Sequence, residues 1–202
     1  MPELTSGFGA FALWGLLGYL LGSVPFGMIS ARLFGLGNLR DIGSGNIGAT
    51  NVLRTGNKAA AATTLLFDAG KGALAVLLAG SFAGDDSQQI AGVMALVGHC
   101  FPIWLSFKGG KGVATFFGVL LGLAWPVFLV CGAAWLITAA IGRMSSLAAL
   151  ITTAFSPLAF LSLGYPSMVL ASVILAILIF WRHSENIQRL RNGTESKIGQ
   201  KS

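Results

Sequence analysis

Charge is what this sequence has least of. Only 10% of its 202 residues are Asp, Glu, Lys or Arg, whereas a soluble domain carries roughly a quarter. So few charges cannot cover a water-soluble globule, and much of the surface must face lipid. Carboxylates are scarcer still, seven in all. No pair of acids is spaced to clamp a metal, and no Ser-His-Asp or Cys-His spacing is visible. The two cysteines, Cys100 and Cys131, form no C-x-x-C or zinc pattern and are expected as packing residues rather than a disulfide. Residues 1–9 hold Glu3 but no Lys or Arg. The basic region of a signal peptide is therefore missing, and the apolar stretch that follows is expected to remain as a first membrane helix.

Apolar residues are abundant, at 54%. Runs at Phe8–Phe34, Ala59–Phe82, Ile90–Phe107, Val113–Ile141, Leu147–Leu163 and Pro166–Trp181 each approach or exceed the ~20 residues that cross a bilayer core. Val113–Ile141 is too long for one crossing, and Trp125-Pro126 is expected to split it into two short helices. The fold expected is an all-α polytopic membrane bundle of about seven transmembrane helices, a single domain over 1–202, with 192–202 a flexible basic tail. The alternative is five spans, the central run forming one long tilted helix. Either count puts the termini on opposite sides. Glu3, Asp85 and Asp86 fall on the N-terminal side. Arg32, Arg40, Arg54, Lys58, Lys108, Lys111, Arg143, Arg182, Arg189, Arg191, Lys197 and Lys201 fall on the other, leaving Lys71 inside the second span. The positive-inside rule makes the basic side cytoplasmic and the N-terminus external. Attraction to anionic headgroups accounts for the basic tail, but not for bases embedded among glycines.

Three polar islands lie on that basic side. The first opens with Ile42–Asn51, IGSGNIGATN, in which Gly43-x-Gly45-x-x-Gly48 matches the dinucleotide fingerprint. The match fails in context, because a membrane helix precedes it and no βαβ pattern or suitable acid accompanies it. What remains, SGNIGATNVLRTGNK, packs Ser44, Asn46, Thr50, Asn51, Arg54, Thr55, Asn57 and Lys58 around glycines. Small residues expose backbone N–H groups, and Arg54 offers a bidentate fork for phosphate. The second island, GHCFPIWLSFKGGKGVAT, resembles a P-loop but lacks the Walker spacing, and Gly112 stands where Ser or Thr should follow Lys111. Lys108 and Lys111 flanking Gly109-Gly110, ahead of an apolar helix, still suit a phosphate.

The third island, WRHSENIQRLRNGTE, follows the last span. On a helix, His183 and Asn186 share a face, as do Arg182, Asn186 and Arg189; an interfacial helix anchored by Trp181 is the plainer reading. Ser145 and Ser146 in a short turn add hydroxyl donors. Asp68 and Lys71, three apart inside the second span, must pair at that depth, with a structural salt bridge expected. Together the islands imply recognition of phosphorylated or otherwise anionic molecules at the membrane surface without a metal.

In order and spacing, GSGNIGATNVLRTGNK, GHCFPIWLSFKGGKGVAT and RHSENIQRLRNGTE resemble the three motifs of the bacterial acyl-phosphate-dependent glycerol-3-phosphate acyltransferases, over nearly the whole chain. The resemblance implies a multi-pass protein of the bacterial inner membrane with a cytoplasmic active site. It would transfer a fatty acyl group from acyl phosphate to the sn-1 hydroxyl of glycerol 3-phosphate, releasing lysophosphatidic acid and phosphate. Carried over residue by residue, Ser44, Arg54, Lys108 or Lys111, His183 and Asn186 are the expected glycerol-3-phosphate pocket and catalytic set. Asn46, Gly48, Thr50, Asn51, the Gly109, Gly110 and Gly112 backbone, and Ser145 or Ser146 are expected to hold acyl phosphate. Glu195 matches a position that looks structural. No cofactor, metal or nucleic acid is expected, membrane lipid is the surroundings, and a monomer is the expected state.

The sequence departs from the other glycerolipid acyltransferases, which use H-x-x-x-x-D: five residues after His99 stands Trp104, and five after His183 stands Gln188. Two mechanisms remain open. His183 acts as general base, or an oxygen of the acyl phosphate takes the proton while His183 orients the acceptor. No acid is evident to orient His183, which favours the second. A transporter for a small phosphorylated solute is the alternative function; the absence of an internal repeat and the bare outer side argue against it.

Overall fold

A computed structural model describes residues 6–199 of the chain; Glu3 and Lys201 lie outside the described residues. All regular structure there is helical: α1 (Phe8–Ser23), α2 (Phe26–Leu33), α3 (Ala49–Leu53), α4 (Lys58–Phe82), α5 (Asp85–Cys100), α6 (Val113–Leu123), α7 (Trp125–Gly142), α8 (Ser145–Ser162), α9 (Val169–Arg182) and α10 (Ser184–Arg191), with single 3-10 turns between some of them.

Proline sets two of the breaks. Pro25 separates α1 from α2. Ala124 is extended (φ −159°, ψ 96°) and Pro126 sits in the first turn of α7, so the long central run becomes two helices meeting at a corner. That split is the one the sequence predicts, and the single tilted helix does not occur. Five helical stretches are long and apolar enough to cross a membrane: Phe8–Leu33, Lys58–Phe82, Asp85–Leu105, Trp125–Gly142 and Ser145–Ser162. Pro166–Arg182 with Ser184–Arg191, bent by 65°, makes a sixth if taken as one broken span. The remaining apolar helix, α6, has only 11 residues, well short of a full crossing. Large side chains such as Phe8, Leu136 and Ile141 face outward, as lipid-facing residues do.

Lipid gives apolar side chains no reason to leave it, so helices here associate by close packing of small residues. A Cβ at Gly18 or Gly22 would collide with the backbone of Ala91 or Ala95 on α5, and one at Gly118 with the Ala69 carbonyl on α4. A larger core of Phe116, Val119, Leu120, Phe160, Leu175 and Ile179 joins α6, α8 and α9.

Connectivity then assigns the two ends. Ser6 binds the Asp86 carboxylate through its N–H (2.8 Å) and hydroxyl (2.6 Å), at the end where α4 turns into α5. The opposite end receives α2, α3, the α5–α6 loop, the α7–α8 turn and the α9–α10 junction. These segments carry all three polar islands.

Candidate functional site

Asn51 organises the first island. It is buried on the short α3, where its Oδ1 accepts from the Ser44 N–H (3.0 Å) and hydroxyl (3.3 Å), and its Nδ2 donates to the Leu39 carbonyl (3.0 Å). Its side chain is thus committed internally. Asn51 positions Ser44, rather than serving as the ligand donor expected of it. Arg54 lies beside it, with Nη1 3.5 Å from Asn51 Oδ1 and Nη2 2.5 Å from the Ser196 hydroxyl. Ser44 and Thr50 are exposed, and the Thr50 and Ser145 hydroxyls stand 3.3 Å apart across the gap between α3 and α8. Asn46 Oδ1 is buried without a hydrogen-bond partner, and Gly48 caps α3.

The glycine loop is held from two sides. Gly109 and Gly110 donate their N–H groups to the carbonyls of Cys100 (3.0 Å) and His99 (3.1 Å) at the end of α5. Arg182 reaches across from α9 and donates from Nη2 and Nε to the carbonyls of Gly109 and Gly110, both at 3.1 Å, while lying over the Phe101 ring. The expectation that these two glycines present N–H groups to a phosphate is therefore not met. The donors that remain are the first-turn N–H groups of α6, which have no intrahelical acceptor. Gly112 caps that helix in a left-handed conformation (φ 85°) that favours glycine.

The two lysines separate clearly. Lys108 is exposed; its backbone N–H donates to the Leu105 carbonyl (3.0 Å) and its own carbonyl accepts from Arg40 Nη2 at 2.6 Å. Lys111 is half-buried, and its ammonium donates to Asn186 Oδ1. Burial, with Arg189 adding repulsion, lowers its pKa to about 8, although Glu195 and Glu185 pull the other way.

Past the end of α9, His183 and Asn186 share a face as the spacing predicts, and both are buried. His183 Nδ1 lies 2.8 Å from the Ile179 carbonyl. Burial lowers the ring's pKa to about 4, so at neutral pH the ring is uncharged. The carbonyl fixes its proton on Nδ1, and Nε2 is an acceptor. Asn186 Nδ2 donates to Glu195 Oε1 (2.7 Å), which also accepts from the Ser146 hydroxyl (2.7 Å); Arg189 Nε meets Glu195 Oε2 at 2.7 Å. Burial alone would raise Glu195, but bonds from Ser146, Arg189 and Asn186 outweigh it and hold the carboxyl below its usual range. The start of the expected flexible tail is thus tied down: Glu195 and Ser196 enter the site, and Ile198 N–H donates to the Arg143 carbonyl at 2.6 Å. Residues 200–202 of that tail lie outside the described residues.

The site thus unites Ser44, Thr50, Arg54, Lys111, Ser145, His183 and Asn186. It leaves Lys108 at the rim and commits Asn51 and Ser146 to internal bonds. Asp68 and Lys71 form the expected buried pair at 2.7 Å. Arg182 and Ser196 were absent from the expected set. The heptad-like spacing Arg182, Asn186, Arg189 could have flagged the first; no sequence signal points to Ser196. Among the described residues, no three His, Cys, Asp or Glu side chains group as metal ligands.

Fold and site together define an all-helical membrane protein with basic, amide and hydroxyl side chains gathered at one end of the bundle. The family model for glycerol-3-phosphate acyltransferase matches residues 12–193. The chain is 64% identical over 202 residues to a glycerol-3-phosphate acyltransferase of Jannaschia sp., covering all of both chains. It is 63% identical over 193 residues to one of Roseobacter denitrificans, covering 95% of this chain and 96% of that one. Among solved structures it is similar to PlsY, an integral membrane glycerol 3-phosphate acyltransferase. The glycerol 3-phosphate form matches with a TM-score of 0.89 at 36% identity, over 95% of this chain and 96% of that one. The lysophosphatidic acid form matches with a TM-score of 0.86 at 34% identity. The chain belongs to the glycerol-3-phosphate acyltransferase family and is a multi-pass integral membrane protein.

Proposed function

We propose that the protein transfers a fatty acyl group from acyl phosphate to the sn-1 hydroxyl of glycerol 3-phosphate, giving lysophosphatidic acid and phosphate. The observation that carries this reading is the convergence of Arg54, Lys111 and Asn186 with hydroxyls from two other segments at one end of an apolar bundle. Two phosphorylated molecules need cations and neutral donors side by side, at the depth of lipid headgroups. The concentration of basic residues on that end supports a cytoplasmic site in the bacterial inner membrane, with the N-terminus outside. The reading includes one domain, a monomer and no metal. Family membership leaves the transport alternative without support.

In this reading, Ser44, Arg54, Lys111, His183 and Asn186 hold glycerol 3-phosphate. Thr50, Ser145, the Asn46–Gly48 backbone and the N-terminus of α6 receive the acyl phosphate. The acceptor hydroxyl oxygen attacks the acyl carbon, the carbon–oxygen bond to phosphate breaks, and phosphate leaves with the hydroxyl proton. Positioning and charge stabilisation supply the rate enhancement. His183 has a backbone carbonyl rather than a carboxylate at Nδ1, and burial outweighs what that carbonyl and Glu195 do for an imidazolium, which supports transfer of the proton to the leaving phosphate.

The test is phosphate release by the purified protein given palmitoyl phosphate, with and without glycerol 3-phosphate. Release that needs both and yields lysophosphatidic acid is expected; no lysophosphatidic acid from either palmitoyl phosphate or acyl-coenzyme A overturns the reading. The His183→Gln variant then separates the mechanisms. Its kcat is expected to fall by less than about 100-fold, whereas loss of a true general base costs about 10²–10⁴-fold. Saturating-substrate kinetics of the variant decide between them.

A further inference from the structure

Beneath the glycine loop lies a buried chain of ionisable groups that the reaction above does not use. Lys71 Nζ donates to the Val24 carbonyl at the α1–α2 break (2.8 Å) and pairs with Asp68 Oδ1 (2.7 Å). The same oxygen stands 3.5 Å from Nδ1 of His99, and both side chains are almost wholly buried, at 2% and 4% exposed. The opposite edge of the His99 ring meets Gly110: a Cβ on Gly110 would lie 2.2 Å from Nε2, with the neighbouring ring carbons next nearest at 3.0 and 3.1 Å. The His99 carbonyl accepts the Gly110 N–H as well. Three charged or polar side chains at this depth are costly, and a salt bridge that only stabilised α4 would not need to end on the underside of a loop.

We propose that His99 is a positioning residue for the Gly109–Lys111 loop. Braced by Asp68 and Lys71 against the α1–α2 break, its ring is the floor on which Gly110 rests, and it thereby sets where Lys111 meets the phosphorylated substrate. Arg182 closes the clamp from the opposite side through the Gly109 and Gly110 carbonyls. Glycine at 110 follows directly, because any side chain there would displace the ring or lift the lysine. The inference rests on the acyltransferase reading for what Lys111 does, but the packing of His99 on Gly110 does not.

The experiment compares wild type, Gly110→Ala, His99→Ala and the double variant, measuring kcat and KM for glycerol 3-phosphate together with Tm. Displacing a substrate-positioning group by about 1 Å costs up to about 100-fold. Each single variant is expected to raise KM at least about tenfold while kcat stays within about threefold. In the double variant the alanine methyl occupies space left by the ring, so KM and Tm recover relative to Gly110→Ala alone. Multiplying defects, or a fall in kcat at unchanged KM, overturn the proposal. Should His99→Ala fail to accumulate, Gly110→Ala decides it: an unchanged KM sinks the idea. If wild type shows no acyl transfer, the functional reading falls, while recovery of Tm in the double variant still tests the contact.

Discussion

Replacing Lys111 by Met is expected to lower kcat/KM by about a thousandfold while leaving the fold intact. Methionine keeps most of the apolar stem and removes only the ammonium. Each hydrogen bond from a charged donor contributes about 1.5–3 kcal/mol, and in the proposed reaction one lysine serves phosphorylated substrates that carry most of their charge at this spot. The same residue sets the alkaline limit. Its cationic form is the binding form, and burial lowers its pKa to about 8. In the free enzyme, kcat/KM should therefore decline as pH rises through about 8. His183, at about 4, is already neutral and adds no inflection between pH 6 and 9. Lys111→Arg should push the alkaline limb upward, since a guanidinium does not deprotonate in this range. A wild-type profile flat to pH 9.5 would remove Lys111 from substrate binding.

Glu195→Ala is expected to cost both stability and activity. One carboxylate gathers Ser146, Asn186 and Arg189, and its side chain is only 6% exposed. Removing it leaves two neutral donors unpaired and Arg189, about a third exposed, with only Glu185 at 3.9 Å, a loss on the order of 1–3 kcal/mol. Asn186 then no longer holds Lys111, so activity falls even in protein that survives purification. The pH sign follows from the depressed carboxyl. Its folded pKa lies below the usual 4.5, so its contribution is fully present above that value and is lost as pH falls through the folded pKa. Thermal unfolding in detergent should show wild type losing stability under acid below about pH 4.5 and the variant losing less. Equal acid sensitivity in the two would show that Glu195 is not the anchor.

Much of this was legible in the chain. Scarce charge and long apolar runs give the helical bundle, and Pro126 marks the corner between α6 and α7 because proline lacks the N–H that a continuous helix needs there. The three islands were visible as glycines and bases with few acids, and Asp68 with Lys71 as a pair too costly to leave apart. What stayed hidden depends on contacts between distant segments. Nothing local tells that the Gly109 and Gly110 N–H groups are taken by α5 carbonyls, which moves the available donors onto α6. That Lys111 is half-buried and Lys108 exposed is a tertiary property that no spacing reveals. His99 reads as a member of the second island with no assigned role until α4 brings Asp68 beneath it. The C-terminal segment looked like a basic tail because its composition is polar, yet one glutamate and one serine bind it to the site.

That last attachment passes through an exposed turn at Asn192–Thr194, with Gly193 in a left-handed conformation (φ 68°). Exposed polar turns of this kind are where proteases nick folded chains. A single cut there would sever Glu195 and Ser196 from the helices while leaving all ten of those described whole. Enzyme exposed to limited proteolysis should thus go silent before its circular dichroism changes, and a preparation judged intact by helicity alone can already be dead.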